Sequence, residues 1–166
     1  MKLPAEFKRS SKFRIASDLP KLQNSKYLGD VVSSAIEQFE STDSNIDVFV
    51  DSTSQYRFVT ILDSAEKISI DKSSSAQLGK MLMEDYKKMK LSKKGLDVNK
   101  LESNIKKNNQ QHMAKFKFEI VNKRNKAKTY ATTFFITNST RSLIIHEFSD
   151  QLEDLEFYTW SLNENY

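Results

Sequence analysis

The chain contains no cysteine, which removes disulfides, thiolate metal sites, iron–sulfur clusters and thiol nucleophiles together. Two histidines, His112 and His146, are too few for most histidine-rich metal centres. The three glycines, Gly29, Gly79 and Gly95, cannot form a phosphate-cradling loop of the G-x-x-x-x-G-K-[ST] or G-x-G-x-x-G kind. No G-x-S-x-G elbow presents a serine nucleophile. No apolar run approaches the roughly 18 residues that a membrane span needs. The opening Met1-Lys2-Leu3-Pro4-Ala5-Glu6 lacks the apolar stretch of a secretory signal. These absences exclude most familiar catalytic sites, and no catalytic residue, metal or cofactor is assigned. They place the chain in the cytoplasm, or in the periplasm or outside the cell if a leader has been removed.

What remains is a polar but aromatic-rich chain of 166 residues, with 38% hydrophobic and 11% aromatic side chains. That length suits one domain with a core of its own. Residues 1–12 read as a flexible basic arm and 13–166 as a single domain. The net charge of +4 is unevenly spread. Residues 80–128 carry 15 basic and 5 acidic side chains, whereas residues 129–166 carry one basic and six acidic. A basic block followed by an acidic tail either neutralises itself on folding or offers a face to an anionic partner.

Periodicity sets the elements. Phe13-Arg14-Ile15 is a short alternating run ended by Leu19-Pro20. Leu28, Val31, Val32, Ala35, Ile36 and Phe39 recur at helical spacing over 25–40. Ile46, Val48 and Val50 alternate with polar neighbours as a strand, and Tyr56–Leu62 returns after Ser52-Thr53-Ser54. Lys67–Ile70 is expected as another short strand. Ser74 and Gln77 have capping-box spacing ahead of a second helix, on which Leu78, Met81, Leu82, Tyr86 and Met89 share a side. Gly95 ends it. Asn99–Ile105 is open between strand and helix. Met113–Val121, Tyr130–Thr137 and Arg141–Phe148 form a three-strand meander, and Leu152, Leu155, Phe157 and Trp160 make an amphipathic ending.

The expected fold class is therefore α+β, an antiparallel sheet with two main helices packed on it. Over about residues 64–162 this order resembles the PsbP-like superfamily, which includes Ran-binding import factors and DcrB-like proteins. Phe13-Arg14-Ile15 with Pro20 is similar to that family's F-x-I-x-x-P opening, Ala76–Met89 to its helix, and Phe157–Leu162 to its ending. The resemblance implies an accessory or binding module. The alternative architecture is a cystatin-like or NTF2-like cone.

For chemistry, His146 beside Glu147 suggests a base with an orienting carboxylate, but neighbours in a strand point to opposite faces and do not meet. Asp47 and Asp51 share a face yet stand too far apart to bind one metal, and Asp150–Glu156 reads as a solvated acidic loop. The block supplies a candidate anion site: Lys87, Lys88, Lys90, Lys93, Lys94, Lys106, Lys107, Lys123, Arg124, Lys126 and Lys128. Arg124 is its single arginine, and Phe116 and Phe118 alternate as core, so base-specific recognition lacks forks and platforms. The apolar triplets Phe134-Phe135-Ile136 and Leu143-Ile144-Ile145 require cover on both faces of their strands. The leading expectation is a non-enzymatic interaction module binding a protein partner. Anion or nucleic-acid binding through the lysines is the alternative, and an enzyme of unknown type the third choice.

Overall fold

A computed structural model describes residues 3–11, 14, 46–54, 56–64, 66–92 and 95–156, with backbone alone over 89–92. Seven strands and one helix are formed by these residues: β1 (Phe7–Ser10), β2 (Ile46–Asp51), β3 (Phe58–Ser64), α1 (Lys72–Ser92), β4 (Leu96–Lys107), β5 (Gln111–Asn122), β6 (Lys128–Asn138) and β7 (Ser142–Ser149). The strands make one sheet in the order β1-β2-β3-β7-β6-β5-β4, and every neighbouring pair is antiparallel.

The α+β class with two main helices is overturned. Among the described residues the molecule is a seven-stranded antiparallel sheet carrying a single helix, with about half of those residues in strands. Two segments account for the difference. Asn99–Ile105, open in sequence, lies inside the 12-residue β4, which pairs with β5 on both sides of a register shift at Leu101. Phe7–Ser10, read as part of a loose arm, pairs with β2 and buries Phe7. Lys67–Ile70 makes no strand; Ile68 donates its N–H to Ser142 Oγ at 2.7 Å and the segment leads into α1. The helix expected over 25–40, the strand residues Phe13 and Ile15, and the Phe157–Leu162 ending lie outside the described residues.

Asp71, and not the Ser74–Gln77 pair, caps α1. Its Oδ1 accepts from the backbone N–H groups of Ser73 and Ser74 at 2.7 and 2.9 Å, and Ser74 Oγ accepts from the Asp71 N–H at 2.9 Å. The reciprocal bonds satisfy donors that a helix start otherwise leaves unpaired. At the other end Gly95 has φ of 101°, a conformation that glycine reaches without strain.

Helix α1 lies on one face of the sheet, here called the helix face. Leu82 packs there with Ala114, Phe116, Phe118 and Phe135. Gly79 permits the approach, since a Cβ at that position would stand 2.7 Å from Phe116 Cε1. The opposite face has its own apolar cluster, in which Val59, Met113, Phe134, Ile136 and Ile145 bury Leu155. Both faces of β6 and β7 are covered, as the unbroken triplets in those strands require.

Candidate functional site

The eleven basic candidates do not form one patch. Lys123, Arg124 and Lys126 occupy the β5–β6 turn, with Lys128 at the start of β6. Gly95, three residues past α1, accepts from the Lys123 N–H at 2.8 Å, so the helix C-terminus stands at the same end of the sheet. Lys106 and Lys107 end β4 at the other end, roughly 35 Å away along 12-residue strands. Lys93 and Lys94 lie outside the described residues, and of Lys90 only the backbone is described.

Four of the eight candidates whose side chains are described are paired with carboxylates nearby. Lys88 pairs with Asp85 at 3.4 Å, Lys123 with Asp97 at 3.1 Å, Lys128 with Glu119 at 2.7 Å, and Lys106 with Glu156. The Glu119 contact raises the Lys128 ammonium, and the same bond holds the Glu119 carboxyl below its usual range. Lys87, Lys107 and Lys126 make no ion pair among the described residues.

The structure instead gathers charge where the sequence suggested solvent. Lys115 and Lys117, on the polar side of the β5 alternation, are both buried on the face opposite α1. Lys115 Nζ lies 2.6 Å from Glu156 Oε2, 2.8 Å from Glu102 Oε2 and 2.9 Å from Asp154 Oδ2. Lys117 Nζ donates to the same Asp154 oxygen at 2.9 Å and to the Leu152 carbonyl. Burial alone would lower the Lys115 ammonium, but the three carboxylates more than offset it and hold it well above the ordinary lysine range. Burial alone would raise Asp154 and Glu156, and the lysines bring both below the usual carboxylate range. The acidic stretch is thus no solvated loop: its Asp154 and Glu156 are clamped to the sheet.

A second ion pair lies beside the first. Arg57 Nε donates to Glu147 Oε1 at 3.0 Å, while Glu147 Oε2 accepts the Leu155 N–H at 2.9 Å. Burial raises the Glu147 carboxyl, against the pull of Arg57 and that N–H. Glu147 therefore fixes the 150–156 strap to β7 and to Arg57 just ahead of β3. His146 points to the helix face, away from Glu147, as the strand geometry dictates. Its Nδ1 is 2.9 Å from Thr133 Oγ1, and burial lowers the ring to about 4. Tyr86 of α1 shares that threonine hydroxyl, and burial raises its phenol. Thr60, opposite His146 in the ladder, is buried, and its hydroxyl has no partner among the described residues. His112 stands between Lys107 and Thr137 in the ladder and is half-buried. No group of three or more acidic or histidine side chains suited to a metal occurs among the described residues.

The remaining feature is the edge. β4 is the outermost strand on its side, and among the described residues nothing pairs with its outer row of N–H and C=O groups. Such a row is a template for another strand. A bulge interrupts it: Lys100 pairs with Phe118 and Glu102 with Lys117, leaving Leu101 as the extra residue, 47% exposed. Sequence reasoning missed this edge because strand and helix were both open for Asn99–Ile105. The signal that could have found it is the alternation of Leu96, Val98 and Lys100 with Asp97 and Asn99.

The chain matches no protein-family model and no curated protein. Among the described residues no helix is long and apolar enough to cross a membrane.

Proposed function

We propose that the protein is a non-enzymatic interaction module that binds a protein partner through the outer edge of β4. The observation that carries this reading is the outer edge of the 12-residue β4, which no described strand pairs, bearing an exposed Leu101. Main-chain hydrogen bonds to an added strand supply affinity, and side chains on alternate positions supply selectivity. The charged residues turn inward against one another: Lys115, Lys117 and Arg57 meet Asp154, Glu156 and Glu147, which suits a clamp better than proton transfer.

Anion or nucleic-acid binding through the lysine block ranks second. Lys87 and Lys126, without ion pairs among the described residues, favour it at the α1 C-terminal end of the sheet. The separation of Lys106 and Lys107 from the other lysines weighs against one continuous anion track.

Capture from host lysate, with and without nuclease, tests both. Successive residues of a strand turn their N–H groups to alternate edges, so one of Ser103 and Asn104 donates outward. Proline there removes that donor and spares the β5 ladder. The proline variant that keeps the wild-type melting temperature is the probe. We expect nuclease-resistant capture by the wild type that this variant loses. Capture that vanishes with nuclease and ignores the proline would favour the lysine reading instead.

A further inference from the structure

We propose that the occupant of the β4 edge is a second copy of the chain, the two β4 strands pairing antiparallel about a two-fold axis at the Leu101 bulge. The inference rests on the edge reading above and names its partner.

Val98 and Ile105 are seven residues apart, an odd spacing that puts two residues of a regular strand on opposite faces. Here Val98 pairs with Ile120 and Ile105 with Ala114, so both lie on the helix face. The extra residue, Leu101, restores the parity. Asp97 and Lys106 are likewise on one face, opposite Val121 and Met113. The first half of β4 is thereby brought into register with the second half read backwards.

A two-fold axis perpendicular to the sheet makes use of this. It keeps like faces together and sets residues of one strand against their mirror positions in the other, as an isologous interface requires. With the axis between Leu101 and Glu102, Asp97 faces the partner's Lys106 and Val98 faces the partner's Ile105. Asn99 faces the partner's Asn104, and Lys100 faces the partner's Ser103. Each of these four pairs lies on a common face. Opposite charges meet twice by symmetry, apolar residues meet twice, and no lysine faces a lysine. A slip of two residues in either direction loses both charge pairs; one direction also loses the apolar pairs, and the other sets Leu96 against the partner's Ile105.

The charged partners within the chain do not forbid the contact. Asp97 and Lys106 each keep 41% of their side chains exposed while pairing with Lys123 and Glu156, and a carboxylate or ammonium can bridge two partners. Lys100, Lys106 and Lys107 are the kind of residue that guards an edge against indiscriminate strands. In this register they admit the chain itself. The contact is one strand pair, so the dimer is a concentration-dependent one and not an obligate pair.

Sedimentation of the full chain over a concentration series tests this, with Asp97→Lys, Lys106→Asp and the double variant compared at matched folding by circular dichroism. We expect a concentration-dependent monomer–dimer equilibrium, weakened about tenfold or more by either single reversal, since each disrupts both symmetric pairs. The double variant restores it, because the charges are exchanged across the axis. A wild type that stays monomeric throughout, a dimer indifferent to the single reversals, or a double variant no better than the singles overturns the proposal. Isotope-edited contacts between Val98 and the partner's Ile105, in a mixture of differently labelled wild-type chains, test the same register without any substitution; their absence in the dimer overturns it too. A monomeric wild type leaves the edge reading standing. That reading falls separately, if the proline variant captures the same lysate proteins as the wild type.

Discussion

Asp154 accepts Lys117 at 2.9 Å through the same carboxylate oxygen that Lys115 approaches to 2.9 Å. Two lysines two residues apart on β5 are thereby neutralised by a segment beyond the last strand. Such an arrangement does not arise to maximise stability, because apolar residues of similar size often serve as well in a buried position. It specifies where the chain past β7 must lie. Beside it, β4 supplies Glu102 and Lys106 to the same cluster.

Asp154→Ala leaves two buried ammonium groups short of their shared acceptor. Loss of one partner from a buried ion pair costs about 3 kcal/mol or more. Urea unfolding should show that loss, and cleavage after Leu152 by a protease of suitable specificity should accelerate. Wild-type stability in the variant would mean that Glu102 and Glu156 suffice for both lysines.

Gly79→Ala ordinarily favours a helix by about 1 kcal/mol. Here the new methyl would lie 2.7 Å from Phe116 Cε1, so the ring or the helix must move. We expect a net destabilisation of about 1–3 kcal/mol from overpacking, and partial recovery when Phe116→Leu is added. A melting temperature raised by the single substitution would contradict the close approach of α1.

Thr60, opposite His146, carries a buried hydroxyl with no partner among the described residues. Valine has the same shape without the polar atom. Thr60→Val should raise stability by about 1 kcal/mol in chemical denaturation. A loss of similar size would show that the hydroxyl holds a bound water.

His146 titrates at about 4 in the folded chain against 6.5 for the free side chain. The unfolded chain binds the proton first as pH falls, so this residue's contribution is constant above about 6.5 and declines between there and 4. Glu147, raised by burial, works in the opposite sense above the ordinary carboxylate value, and Asp154 and Glu156, both lowered, withdraw stability further into acid. The difference between wild type and His146→Asn isolates the histidine. It should vary between pH 6.5 and 4 and be flat above; a flat difference across that window would contradict a neutral buried ring.

The meander was legible in the sequence because Phe116, Phe118 and Ile120 alternate with charged residues, and because the triplets in β6 and β7 announce two covered faces. The opposition of His146 and Glu147 was legible for the same reason, the two-residue period of a strand. The balance of helix and strand was not. One expected helix lies outside the described residues, and β4 hides its alternation behind a bulge that shifts Ile105 onto the face of Val98. Composition could not show that Lys115 and Lys117 are buried, since their carboxylates come from Glu102, Asp154 and Glu156, up to 41 residues away. Nor could the excess of lysine over arginine distinguish a binding face from a neutralised one. Only the structure shows Lys88, Lys106, Lys123 and Lys128 in ion pairs.

Backbone hydrogen exchange of the full chain, free and in the complex recovered from lysate, tests the edge reading most directly. The account predicts slowed exchange confined to β4, on amides of alternate residues between Leu96 and Lys107, with the β5–β6 turn unchanged. Protection at Lys123–Lys128 and along α1, with β4 exchanging as in the free protein, would contradict it and move the functional surface to the lysines.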